Sequence, residues 1–378
     1  MNKLLIKNCL LPESDEPQDI LCIDGAIAEI GYHIQKSATS IIDAQMKYAA
    51  PGLLDIHVHG AGGIDFLHMD TASYQTAART LASVGTTGFL ATVLIDPRNP
   101  KVLSGLAELC DQSVKGARLL GIHAEGPFIN TAKKGGFPLE CIHPADIELF
   151  SDLIRFSQNR ISMMTLAPEV IDQALLDSLR VHRIIPAVGH TDVSYKEMKS
   201  YLEHGLNHLT HVFNAMNGIH HREPGPILAA WEDPCSTIQI ISDGVHLSPT
   251  IVKMLFHLWG PDRCILITDG LNSQGLPDGE YEYIGKSYVT ENGLAKYHDG
   301  TLIGTTFGML DMVAHFKSFT NCSLSQAINA ASLNPAKLLG LHTKGVLAPG
   351  YDADIILFDS HFDLHYTIIQ GNVVHYGS

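Results

Sequence analysis

The stretch PGLLDIHVHG places Asp55, His57 and His59 at alternate positions, so in an extended strand they share one face. Two neutral imidazoles at that spacing can reach a single divalent ion. The pattern is short, and by itself it reads more plainly as a hydrogen-bonded pair of polar residues. Four further apolar runs end in residues of the same kind. RLLGIHAE brings Glu125 to the exit of one run, immediately before Gly126-Pro127. AVGHTD places His190 at the exit of another, HLTHVFNAM offers His208 and His211 with His211 nearer the end, and ILITDG delivers Asp269. Singly, Glu125 reads as an exposed loop acid, each histidine as a satisfied core or loop residue, and Asp269 as a turn aspartate before glycine. Jointly they form a mixed nitrogen and oxygen donor set, which suits zinc or ferrous iron better than magnesium or calcium. A metal-activated water with a carboxylate to shuttle its proton is the chemistry such a set can perform. No glycine-rich phosphate cradle, G-x-S-x-G elbow or cysteine nucleophile pattern competes with it.

These residues need a scaffold that gathers strand ends. Eight apolar runs have the length and branching of buried strands: Leu53–His59, Gly88–Thr92, Leu119–Glu125, Ile161–Leu166, Ile184–Gly189, His208–Thr210, Ile238–Ile241 and Cys264–Thr268. Helical patterns such as Ala72–Ser83 and Leu324–Leu333 separate or follow them. That alternation predicts βα units around a parallel sheet, and eight of them predict a closed (β/α)8 barrel of TIM type. In such barrels the chemistry sits at the C-terminal ends of the strands. Short strands also appear at both chain ends: Leu4–Ile6, Ile20–Cys22 and Ala26–Ile30, then Asp354–Phe358, Leu364–Ile369 and Val373–Tyr376. Neither end can bury a core alone. The expectation is one small β-sandwich domain built from residues 1–52 and 344–378, beside a barrel at 53–343.

The chain carries 40 acidic against 25 basic residues, a formal charge of −15. Such a surface repels nucleic acid and anionic membranes, so neither is an expected partner. An anionic substrate would need a local basic pocket against that field. Seven scattered cysteines without a C-x-x-C pair read as reduced thiols. The acidic residues arriving early in MNKLLIKNCLLPESDEPQD argue against a signal peptide or membrane span, and the expected location is cytoplasmic.

The longer motifs resemble one family. PGLLDIHVHG, GIHAEGPF, VGHTD, THVFNAM, HHREPG, SDGVH, ITDG, LIGTTFGM, LNPAKLLGL and GVLAPGYDADIILFD occur in the order found in the N-acetylhexosamine-6-phosphate deacetylases of the amidohydrolase superfamily. The resemblance runs from about residue 50 to about residue 360 and implies the same barrel and small β-domain, usually as a homodimer. It implies Glu125, His190 and His211 as ligands of a main divalent ion, His57 and His59 as holders of a second, and Asp269 as the general acid/base. For the substrate, a phosphorylated amino sugar, it implies contacts from Gly136, Asn214, Ala215 and the loop Leu302, Ile303 and Gly304. His246 would lie near the phosphate, and Arg222 would reach the phosphate from the neighbouring subunit.

One departure stands out. Many relatives follow EGPF with a histidine that contacts the substrate, whereas KKGGFP has Phe137 there, and a phenyl ring cannot donate a hydrogen bond. The reaction expected is deacetylation of N-acetylglucosamine 6-phosphate to the amino-sugar phosphate and acetate. HHREPG and LPDGEY also resemble relatives acting on the galactosamine epimer, the alternative substrate. Another hydrolase of the superfamily is a weaker match, because many carry a lysine at the fourth strand exit and this chain reads TLAPE. A non-catalytic barrel relative would lack ligands, and none is missing.

Overall fold

The computed structural model describes residues 2–377. Eight parallel strands follow the expected runs: Leu53–Val58, Thr86–Val93, Arg118–Glu125, Ile161–Leu166, Ile185–Val188, His208–Leu209, Thr237–Ile240 and Cys264–Leu266. They are hydrogen-bonded in chain order. The first and last are joined by a parallel bridge between Val58 and Gly270. Asp269 N–H donates to the His57 carbonyl at 2.9 Å and His59 N–H to the Gly270 carbonyl at 2.7 Å. Closure of the barrel is therefore the event that sets Asp269 beside the His57 strand. Every residue of Leu53–Val58 and Thr86–Val93 is buried, as strands covered on both faces must be; this is why they read as apolar runs rather than alternations.

Helices cover the barrel with one stripe each. In Ile147–Phe156 the buried residues are Leu149, Phe150, Leu153 and Ile154, the spacing of a single helical face. The helix expected at 72–83 runs Thr71–Ala82, its start fixed by a reciprocal capping box between Asp70 and Ser73. The pattern at 324–333 is broken: one helix spans Leu324–Ala331 and another Leu333–Leu338. Pro335 lacks an N–H and its ring would meet the Ala331 carbonyl, so a single helix cannot continue through it.

Strands from both chain ends form two four-stranded sheets outside the barrel. Tyr48–Pro51 pairs antiparallel with Ile355–Phe358, tying the N-terminal segment to the C-terminal one. One apolar cluster, including Ile6, Ile20, Ile27, Ala49, Ile355 and Ile368, draws on both ends. Lys344, Asp352 and Asp354 form a partly buried ion cluster at the junction. Two of the strands, Ser40–Asp43 and Tyr48–Pro51, are only four residues long, too short to stand out in the sequence.

A further antiparallel sheet follows the last barrel strand: Gly279–Tyr283, Lys286–Glu291, Leu294–Tyr297 and Leu302–Thr305. Its first two turns centre on Ile284-Gly285 and Asn292-Gly293, all four with positive φ, the geometry that matches hairpin twist. Leu94, Ile129, Phe137, Leu271, Tyr283 and Tyr297 pack this sheet against the barrel mouth in one cluster. Among the described residues, no helix is long and apolar enough to cross a membrane.

Candidate active site

The strand exits converge as the spacing of polar residues suggests. Glu125 Oε1 lies 3.2 Å from His190 Nε2, 3.1 Å from His211 Nε2 and 3.4 Å from His57 Nε2. Its other oxygen is 3.4 Å from His59 Nε2. Asp269 Oδ1 stands 3.2 Å from His59 Nε2 and 3.5 Å from His57 Nε2. Two overlapping groups can each surround an ion: His57, His59 and Asp269, and His57, Glu125 and His211. His190 completes the second from 3.2 Å away at His211 Nε2.

Sharp turns at the strand ends aim these side chains inward. His190, His211 and Asp269 have φ values of 50°, 23° and 50°, in a region that non-glycine residues seldom occupy and that costs on the order of 1–3 kcal/mol each. Backbone bonds hold them there: Asn130 N–H donates to the His190 carbonyl at 2.9 Å, and Thr305 N–H to the Asp269 carbonyl at 3.1 Å. Gly304 is pressed against that same turn. A Cβ on it would lie 2.4 Å from the Asp269 carbonyl oxygen, so only glycine fits.

The back atoms of three of the rings are occupied, which leaves their Nε2 atoms facing the carboxylates. His190 Nδ1 bonds the Lys133 carbonyl at 2.9 Å, and that acceptor requires the hydrogen on Nδ1. His57 Nδ1 meets Gln239 Oε1 at 3.0 Å, and His59 Nδ1 meets the Tyr283 hydroxyl at 3.0 Å. His57 Nε2 is then a buried polar atom with no hydrogen-bond partner, aimed at two carboxylates. Burial opposes charge on His57, yet Glu125 and Asp269 lift its pKa to about 9. Burial likewise opposes ionisation of Asp269 and Glu125, but the facing histidines hold both carboxyls well below the usual range. Two buried anions around bare imidazole nitrogens call for a cation. The donor set and the orphaned Nε2 fit a divalent ion of zinc or iron type.

The cavity above is lined by Gly136, Asn214, Ala215, His246, Leu302 and Ile303, as the sequence reading placed them, with Glu125, His190, His211, His59 and Asp269 at its base. His246 is held by Asp243, Nδ1 to Oδ2 at 2.6 Å. Gly304 supports Asp269 from outside that lining. Arg222 is not brought to the cavity; it lies on an exposed loop, where its own N–H bonds His220. No lysine or arginine is among the residues lining the cavity. Phe137 is buried in its wall, edge-on to His190 with ring centroids 4.7 Å apart. Sequence reasoning missed Leu94, Tyr283 and Tyr297. The signal for Tyr283 was the period-two GEYEYIG stretch and the turn that follows it, while Tyr297 ends the short strand LAKY.

Fold and site together define a class, a (β/α)8 hydrolase of the divalent-metal-dependent kind. The amidohydrolase family matches residues 48–374. N-acetylglucosamine-6-phosphate deacetylase of Bacillus subtilis (strain 168) is 37% identical over 332 residues, covering 85% of this chain and 83% of that one. The enzyme of the same name from Lysinibacillus sphaericus is 32% identical over 381 residues, covering 98% and 97%. A mutant N-acetyl-D-glucosamine-6-phosphate deacetylase from Mycobacterium smegmatis, solved in complex with N-acetyl-D-glucosamine-6-phosphate, superposes with a TM-score of 0.91 at 27% identity, covering 99% of this chain and 100% of that one. The chain belongs to the amidohydrolase family and, within it, to the N-acetylglucosamine-6-phosphate deacetylases. It is a hydrolase acting on an amide C–N bond.

Proposed function

We propose that this enzyme removes the acetyl group from N-acetylglucosamine 6-phosphate, yielding glucosamine 6-phosphate and acetate in amino-sugar catabolism. The observation that carries the reading is the convergence of Glu125, His190, His211, His59 and Asp269 at the base of one cavity, with His57 buried among them. Glu125, His190 and His211 would hold one zinc or iron ion, and His57 and His59 a second. The ion supplies Lewis acidity toward water and carbonyl oxygen. Asp269, ionised and 3.2 Å from His59 Nε2, accepts a proton from the attacking water and returns it to the departing sugar nitrogen. The balance is one water consumed, its oxygen in acetate and both its hydrogens on the departing nitrogen, which leaves as an ammonium group. Asn214, Ala215, Gly136, Leu302 and Ile303 orient the sugar so that its amide meets that carboxylate.

The phosphate needs a positive partner, and no lysine or arginine lines the cavity. Arg222, exposed on its loop, supports a homodimer in which each subunit lends its guanidinium to the neighbour's phosphate. Residues 53–343 would then be the catalytic unit, with 1–52 and 344–378 as its companion domain, working in the cytoplasm. The test is a hydrolysis panel on zinc- or iron-loaded protein, using N-acetylated glucosamine and galactosamine with and without the 6-phosphate. N-acetylglucosamine 6-phosphate should be cleaved with the highest kcat/KM. Equal rates with and without phosphate would reject the substrate assignment.

A further inference from the structure

Beneath the candidate ligands runs a buried polar chain that the reaction itself does not use. Thr237 Oγ1 lies 2.7 Å from His208 Nδ1, and His208 Nε2 lies 3.0 Å from Gln239 Nε2. Gln239 Oε1 in turn lies 3.0 Å from His57 Nδ1 and 3.3 Å from the His211 backbone N–H. His57, His208 and Gln239 are all fully buried or nearly so. The direction of every bond follows from one fixed donor. A backbone N–H can only donate, so the amide must turn its oxygen toward His211, and an amide nitrogen there would face donor to donor. With the oxygen set, His57 Nδ1 must carry a hydrogen to reach it. The amide NH2 then points at His208 Nε2, which must accept. His208 therefore carries its hydrogen on Nδ1 and donates to Thr237. Burial pushes His208 down to about 3, which keeps it neutral and able to accept.

We infer that Gln239 is the positioning residue of the metal site, fixing the His57 tautomer and the His211 turn with one oxygen. His57 belongs to both ion-holding groups and His211 to one, so this side chain couples them. With Nδ1–H bonded, the lone pair at His57 Nε2 would be left free to hold an ion. The same acceptor supports His211 in its strained φ of 23°. Outer partners of this kind are typically worth about 10–100-fold in metal affinity.

The inference rests on the proposed metal-dependent reading, and its test separates the two. Protein stripped of metal is titrated with zinc against a chromophoric chelator, as parent, Gln239→Leu and Gln239→Glu. The leucine variant should bind zinc about 10–100-fold more weakly, while the glutamate variant, which keeps an acceptor oxygen, stays near the parent. In parallel, ¹⁵N spectra of histidine-labelled, zinc-loaded parent protein should place the single His57 hydrogen on Nδ1. A folded leucine variant that binds zinc as tightly as the parent overturns the inference, as does a His57 whose Nδ1 is bare. If the leucine variant fails to fold, the parent spectrum still decides. A parent that binds no zinc defeats the metal reading instead.

Discussion

Glu125 and Asp269 face one another across His57, whose Nε2 atom stands 3.4 Å from the first carboxylate and 3.5 Å from the second. The barrel brings them together from its third and last strands, and nothing but a cation relieves the resulting charge. In metal-free protein that cation is a proton on His57.

A pH dependence follows for chelator-treated protein. The His57 pKa is raised from 6.5 to about 9 by the two carboxylates. A raised histidine contributes stability that is fully present below its unfolded pKa and is lost as pH rises through the folded one. The unfolding free energy of the stripped protein, from urea titrations, should therefore fall between pH 6.5 and about 9, by on the order of 3 kcal/mol. Loaded protein, with neutral His57 on the ion, should show no such fall. A flat profile for the stripped form would contradict the charge arrangement.

Asp269→Asn isolates proton transfer. Asparagine is at home in the left-handed conformation that Asp269 adopts, so the turn should survive and the melting temperature should stay close to that of the parent. Turnover should drop about 10²–10⁴-fold. A large stability loss with near-normal turnover would make Asp269 a turn residue only.

Arg222→Ala tests the phosphate assignment. The side chain is exposed, and stability should change by less than about 0.5 kcal/mol. Activity on the 6-phosphate should fall far more than on unphosphorylated sugar. Mixing Arg222→Ala with Asp269→Asn subunits should recover part of the activity if the guanidinium acts across a dimer. Equal losses on both substrates would remove Arg222 from phosphate recognition.

Phe137→His replaces a ring that is 4% exposed and packed among Leu94, Tyr283 and Tyr297. The account expects a shift in the ratio of kcat/KM for the two hexosamine phosphates, since the wall against His190 gains a hydrogen-bonding group. An unchanged ratio would leave Phe137 as packing alone.

Much of this was legible in the chain itself. Strand Ile161–Leu166 matches to the residue, because a barrel strand buried on both faces leaves a continuous apolar signal. His57, Glu125, His190, His211 and Asp269 were visible for a related reason, as polar residues breaking such runs at their ends. The sheet at 279–305 was harder: its strands are half exposed and rich in charge, as in the pattern of Lys286–Glu291, and only the turn residues marked it. Tyr283 could not be linked to His59 from sequence, because their 3.0 Å contact joins a hairpin to the first barrel strand. Nor could Gln239, whose role depends on which neighbours barrel closure supplies.

Amide hydrolysis by this enzyme is proposed to depend on a divalent ion held by Glu125, His190 and His211. The most direct test is acetate release from N-acetylglucosamine 6-phosphate by stripped protein titrated with zinc or ferrous iron, alongside a Glu125→Gln variant. Release should be negligible without metal, recover to saturation at one or two ions per subunit, and recover little in the variant. Full release from stripped protein, or normal recovery in Glu125→Gln, would contradict that dependence.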